Sequence, residues 1–274
     1  MNTDDWCCCE CPSLNELFLA DNSFVLVVME SLISVLLPVW NGLRAGSGYL
    51  QRAVYSIVEQ TYEGPIELII VDDGSTDGTV DAVMQWSNSI RENWQSRRII
   101  VVTKKHSGVT QTLNEALKHA RGDFIARQDA DDWSSPERFS RQVNYLKKNA
   151  DVALVGSAVQ VVHGRQVKQE VWYKSGGRIP KCAFRERTPL AHGSVLLRSD
   201  VMRTVGGYDP QFPHAQDYDL FWRIRRKYAV ASLSDVLYFY RVHSNRVTSD
   251  RKRFQIQLAC ARKIRQRIQQ ELNE

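Results

Sequence analysis

Short apolar runs separated by amphipathic stretches organise the chain from Leu32 onward. Residues 32–37 form an apolar run ended by Pro38 and predict a buried strand. Residues 49–60 place Leu50, Val54, Ile57 and Val58 on one side, which predicts a helix. Residues 66–71 predict a second buried strand, running into Asp72-Asp73-Gly74. A helix is predicted over 79–86, a third strand over 99–102, a helix over 109–120 after Gly108, and a fourth strand over 124–128. Apolar strands alternating with helices predict an α/β fold: a mostly parallel, Rossmann-like sheet flanked by helices on both faces.

The second half is mixed. Ser134-Ser135-Pro136-Glu137 reads as a capping box with proline in the first turn, opening a helix through Lys148. Strand-like stretches follow at 152–155, 158–162 and 194–197. A short helix over 199–205 stops at Gly206-Gly207, another spans 217–228, and 236–240 reads as a last strand. Along 250–274, Phe254, Leu258, Ala261, Ile264, Ile268 and Leu272 fall at helical spacing and make one apolar stripe.

The 274 residues are 43% hydrophobic and 24% charged, which excludes a disordered or fibrous chain. Net charge is +5. Residues 251–274 carry seven basic and two acidic side chains, a surplus equal to that of the whole chain. The rest is balanced, so the basic character is a property of the tail and does not point to nucleic acid. The tail helix has two readings. It docks on the core with a solvated basic face, or it is a surface helix meeting anionic lipid or a partner. Residues 24–40 are too interrupted, by Glu30, Ser31, Ser34 and Pro38, to span a membrane. Asp4 and Asp5 stand where a secretory signal needs positive charge. Cys7, Cys8, Cys9 and Cys11 form one cluster, whereas a zinc site usually needs two separated ligand pairs. Residues 1–28 therefore read as a disordered leader, or Met29 as the true start.

Three clusters fall at the carboxyl ends of predicted strands, where open α/β sheets bind ligands. They are Pro38-Val39-Trp40-Asn41, Asp72-Asp73-Gly74-Ser75 and Asp129-Ala130-Asp131-Asp132. Three crowded carboxylates repel unless solvent or a cation relieves them. Oxygen ligands suit Mg2+ or Mn2+, which accept substrate phosphates in their remaining positions. Asp77 suits the N-cap of the next helix and Gly74 the turn, which leaves Asp73 without a structural duty and able to accept a hydrogen bond from a base or ribose. Asp217 is either an acid stabilising a helix N-terminus or a general base for an acceptor hydroxyl. His192 and His243 read by themselves as packing residues, and no Walker or dinucleotide loop is present.

Taken in order, these segments resemble family 2 glycosyltransferases of the GT-A fold, from about Ser31 to Thr248. The resemblance rests on Ile33 to Asn41, Val71 to Asp77, Gly122 to Asp132, Gly206-Gly207-Tyr208-Asp209 and Gln216-Asp217-Tyr218-Asp219-Leu220. It implies a catalytic domain over 29–248, followed by a basic amphipathic helix over 249–274. It also implies inverting transfer of a sugar from a nucleotide-sugar donor, a UDP-sugar, to a glycan or lipid-linked acceptor in cell-surface polysaccharide synthesis. Pro38, Trp40 and Asn41 match the first nucleotide loop, Asp73 the acid that reads the base, and Asp129 and Asp131 the D-x-D pair at ribose and metal. Asp217 matches the catalytic base, and His243 the late metal-contacting histidine. The implied setting is the cytoplasm, at the inner membrane face. Gln216 in place of the usual Glu, a small insertion at Arg44-Ala45-Gly46-Ser47-Gly48 and His106 in place of Asn depart from the pattern. None removes a residue that the implied chemistry needs. The rival readings are a sugar nucleotidyltransferase, which would want a Gly- and Arg-rich loop after the first strand, and a catalytically silent nucleotide-sugar or glycan-binding protein, towards which only Gln216 leans.

Overall fold

A computed structural model describes residues 30–46, 48–163, 166–174, 176–243 and 250–273. The cysteine cluster and the Met29 start lie outside the described residues. Ten strands form one sheet: β1 (Ile33–Val39), β2 (Ile66–Asp72), β3 (Arg97–Thr103), β4 (Phe124–Arg127), β5 (Trp133–Ser134), β6 (Val152–His163), β7 (Gln166–Trp172), β8 (Gly177–Arg178), β9 (Leu196–Arg198) and β10 (Ala229–Val242). The helices are α1 (Gly42–Ala45), α2 (Tyr49–Val58), α3 (Thr79–Asn93), α4 (Val109–His119), α5 (Arg138–Lys148), α6 (Ser199–Val205), α7 (Gln216–Lys227) and α8 (Arg251–Asn273).

The strand order is β3-β2-β1-β4-β9-β6-β10-β5, with β7 added to β6 and β8 to β10. The first four run parallel, as the alternation of apolar runs and helices predicts. Beyond them β9 is antiparallel to β4 and β6, while β6 and β10 form a long parallel ladder. Alternation on β1 sends Ile33, Val35, Leu37 and Val39 into one core, with Leu50, Ile57, Phe139 and Leu146 from α2 and α5. Leu36 points into the other, with Leu113, Leu220, Phe221 and Ile264 from α4, α7 and α8. Pro38 lies inside β1 rather than after it, but past Leu36, the last residue paired with β4, where a residue without an N–H is tolerated.

Several elements differ from expectation. The two stretches at 152–155 and 158–162 are one strand, β6, and the last strand is longer than its apolar centre. No capping box opens α5: Trp133 and Ser134 pair with β10, and the helix begins at Arg138. The Ser135 hydroxyl instead donates to Glu137, 2.5 Å away. Asp77 is not itself the residue before α3, since Gly78 intervenes, yet its Oδ1 still accepts from Thr79 N (3.2 Å) and Thr79 Oγ1 (2.5 Å).

The stripe on α8 divides. Cys260, Ile264 and Ile268 are buried in the core, and Trp222 Nε1 donates to Glu271 at 2.7 Å, so the second half of the helix is docked. Phe254, Ile256 and Leu258 in the first half are exposed. Among the described residues no helix is long and apolar enough to cross a membrane.

Candidate active site

The loops after β1 and β2 are built together because the strand ends are in register, Val39 beside Asp72. Asn41 adopts a left-handed backbone (φ 50°); its N–H donates to Ser75 Oγ (2.7 Å) and its Oδ1 accepts from Thr76 N (2.9 Å). This crosslink turns Trp40 outward, 42% exposed, with its ring stacked on His106 at 4.6 Å. Gly74 (φ +77°) is required where the next loop closes, because a Cβ there would lie 2.9 Å from His106 N.

Asp73 carries the structural duty that the sequence reading denied it. Its carboxylate takes Lys104 Nζ (2.6 Å), Ser107 N (2.9 Å) and Gly108 N (2.9 Å), and His106 Nδ1 lies 2.9 Å from Oδ2. Burial pushes its pKa up, but the Lys104 ammonium and the two N–H donors outweigh that and hold it below the usual carboxylate range. Asp73 thereby ties the loop between β3 and α4 to the end of β2. No local pattern announces this, since all four partners lie more than thirty residues away.

The acidic turn after β4 holds three unlike carboxylates. Asp132 is buried; its Oδ1 accepts Arg241 N (2.7 Å) and its Oδ2 accepts the Tyr238 hydroxyl (2.9 Å). Burial and the neighbouring Asp131 and Asp129 push its pKa well up, so it clips the turn to β10 rather than serving solvent. Asp129 Oδ1 pairs with Arg127 Nη2 at 2.7 Å, and Gly193 packs so closely that a Cβ would lie 2.8 Å from Asp129 Oδ2. Asp131 remains partly open and meets His243 Nε2 at 2.8 Å. Arg241 fixes this loop by donating from Nε to Asp131 O (2.9 Å), with its guanidinium over the rings of Tyr49 and Trp133. Arg127, Tyr238 and Arg241 were not recognised as site residues in the sequence. Arg241 lies on β10, two residues before His243, which follows the end of the strand.

Asp217 is the second residue of α7, entered through Ala215 in a left-handed conformation (φ 58°). It is half-buried, and burial pushes its pKa up to about 6 against the Tyr218 N–H; Asp129 adds to the rise and Arg127 opposes it. Asp217 therefore feels the same charges as the acidic turn. His192 is a packing residue, as read: it is hydrogen-bonded to the Tyr208 hydroxyl at 2.9 Å and kept neutral by burial and by Arg127.

Asp131 and His243, in contact at 2.8 Å, would offer a divalent ion two donors, a carboxylate and an imidazole. Among the described residues no three His, Cys, Asp or Glu side chains converge. That donor set fits an ion whose other positions are taken by phosphate oxygens and water.

The sequence model of "Glycosyl transferase family 2" matches residues 34–205. The chain is 31% identical to EpsE of Bacillus subtilis over 78% of its own length and 74% of EpsE. It is 30% identical to the amylovoran biosynthesis glycosyltransferase AmsE of Erwinia amylovora, over 80% of each chain. Among solved structures it resembles S. aureus TarS 1-349 in complex with UDP-GlcNAc (TM-score 0.63, 21% identity, 78% of this chain and 59% of that one). It also resembles the mannosyltransferase PcManGT of Pyrobaculum calidifontis in complex with GDP-Man and Mn2+ (TM-score 0.61, 20% identity, 85% of this chain and 64% of that one). The sheet and the strand-end loops described above are thus those of a GT-A fold, and the chain belongs to glycosyl transferase family 2 and is a glycosyltransferase.

Proposed function

We propose that this enzyme transfers a sugar, with inversion, from a UDP-sugar to a hydroxyl of a glycan or lipid-linked acceptor in polysaccharide synthesis, using Mn2+ or Mg2+. The observation that carries the reading is Asp217. A carboxylate from the second half of the chain shares the electrostatic surroundings of Asp129 and Arg127, with a pKa of about 6. That value suits a general base near neutral pH. The relative named for amylovoran biosynthesis supports the pathway class, and the neighbours solved with UDP-GlcNAc and with GDP-Man and Mn2+ support donor and metal.

Pro38, Trp40, Asn41, Asp73 and Asp129 would take the nucleotide, with the exposed Trp40 ring offered to the base. Asp131 and His243 would hold the divalent ion, which neutralises the diphosphate leaving group as a Lewis acid. Asp217 accepts the proton of the acceptor hydroxyl as its oxygen bonds to C1 of the donor sugar. The bond from C1 to the diphosphate breaks on the opposite face, its electron pair leaving with the diphosphate, and the anomeric centre inverts. The test is turnover of UDP-sugars with manganese, with the product's anomeric configuration read by NMR. Retention of configuration, or release of pyrophosphate from a nucleoside triphosphate, would overturn it.

A second reading concerns place. Phe254, Ile256 and Leu258 are exposed on the half of α8 that also carries Arg251 and Lys252, and this supports peripheral contact with an anionic membrane surface.

A further inference from the structure

The first turn of α8 reaches the nucleotide end of the site. The Arg253 guanidinium lies 5.0 Å from the centroid of the Trp40 ring, within the range of a cation–π contact. The same ring stacks on His106, whose imidazole is held by Asp73. Arg253 is half-buried, whereas Arg251 and Lys252 beside it are exposed. Its charge is felt by His214, whose pKa is lowered by burial and by Arg253; His214 lies in the loop leading into Asp217. Arg253 therefore stands between the loop after β1 and the approach to the base. Among the described residues its guanidinium makes no ion pair; Asp250 accepts its backbone N–H at 3.0 Å and feels its charge. The helix that carries it is anchored in the core from Cys260 onward, through Ile264 and Ile268. Arg253 lies outside residues 34–205, the part matched by the family, whereas Trp40, Asp73 and His106 lie within it.

We propose that Arg253 is a donor-binding residue: α8 completes the nucleotide site from outside the family domain, and the Arg253 guanidinium, steered by the Trp40 ring, pairs with a phosphate of a nucleoside diphosphate. This rests on the proposed function. A guanidinium that makes no ion pair among the described residues, beside an exposed ring that would take a base, matches a ligand with an aromatic head and an anionic tail. Planar, forked donors suit phosphate oxygens, and such charge-assisted bonds are the strong ones. Removing one should weaken diphosphate binding about tenfold or more.

The experiment is calorimetric titration of the full chain with UDP and, separately, with uridine, both with manganese. It compares the unaltered protein, Arg253→Ala, Arg253→Lys and Arg262→Ala; Arg262 is exposed further along α8. Arg253→Ala should lose about tenfold in UDP affinity, keep its uridine affinity and keep its melting temperature. Arg253→Lys should fall between, and Arg262→Ala should match the unaltered chain. If Arg253→Ala binds UDP as tightly as the unaltered protein, or loses uridine and UDP equally, the assignment fails while the proposed function stands. If the unaltered protein binds no UDP, both fail.

Discussion

His243 Nε2 lies 2.8 Å from Asp131 Oδ2, across 112 residues of sequence. β10 brings them together: it pairs with β5 directly after the acidic turn, and Arg241, two residues before His243, is bonded to the turn by both its backbone N–H and its side chain. Asp131→Asn and His243→Ala are each expected to abolish manganese-dependent UDP binding and to cut transfer by about a hundredfold or more, since the ion's charge on the leaving group is worth several kcal/mol. Titrating UDP with and without manganese tests this. Unchanged turnover in Asp131→Asn would rule out the metal role.

The rate should follow Asp217. With a pKa raised to about 6, kcat/KM should climb as pH rises through 6 and level off above it, because only the carboxylate can take a proton. The same shift bears on stability with a defined sign. The folded state holds a proton that the unfolded chain releases near 3.8, so stability declines as pH rises from about 4 to 6 and stays at the lower level above. Asp217→Asn should therefore lose transfer, keep UDP binding and melt a few degrees higher at pH 7, with no such gain at pH 4. Transfer retained by this variant would remove Asp217 as base.

Asp73 braces the loop between β3 and α4. Asp73→Ala strips the partners from Lys104 Nζ and from the Ser107 and Gly108 N–H groups, and should cost about 2–4 kcal/mol in urea unfolding. A variant as stable as the unaltered protein would mean that this network carries little.

Gly193 leaves no room for a side chain. A Cβ there would lie 2.1 Å from the Tyr238 hydroxyl and 2.8 Å from Asp129 Oδ2. Gly193→Ala should displace Asp129 and reduce transfer at least tenfold, while Met84→Ala, at an exposed position on α3, should leave transfer unchanged. Parallel assays of the two decide it.

The two halves of α8 should separate stability from surface binding. Ile264→Ala opens a cavity in the core and should cost about 2–4 kcal/mol. Ile256→Ser alters an exposed position and should change stability by about 0.5 kcal/mol or less, while weakening retention on vesicles of anionic phospholipid. Equal retention of the Ile256→Ser and unaltered proteins would remove the lipid contact.

Much of this molecule is legible in its sequence. Apolar runs at 32–37 and 66–71 specify buried parallel strands because every residue of such a strand meets a helix layer, and the clusters that follow them fall at the strand ends, as ligand loops must. Order and spacing were enough to indicate the family. What each acid does was decided only by the fold. Asp131 and Asp132 are adjacent in sequence, yet one is partly open beside His243 and the other is buried beneath Tyr238 and Arg241. Asp73 read as free and is held by residues from another loop. The stripe on α8 was one pattern in sequence and is two surfaces in space. The reason is physical. Periodicity is local and fixes which face of an element is apolar, whereas a carboxylate's role depends on desolvation and on partners that only tertiary packing supplies.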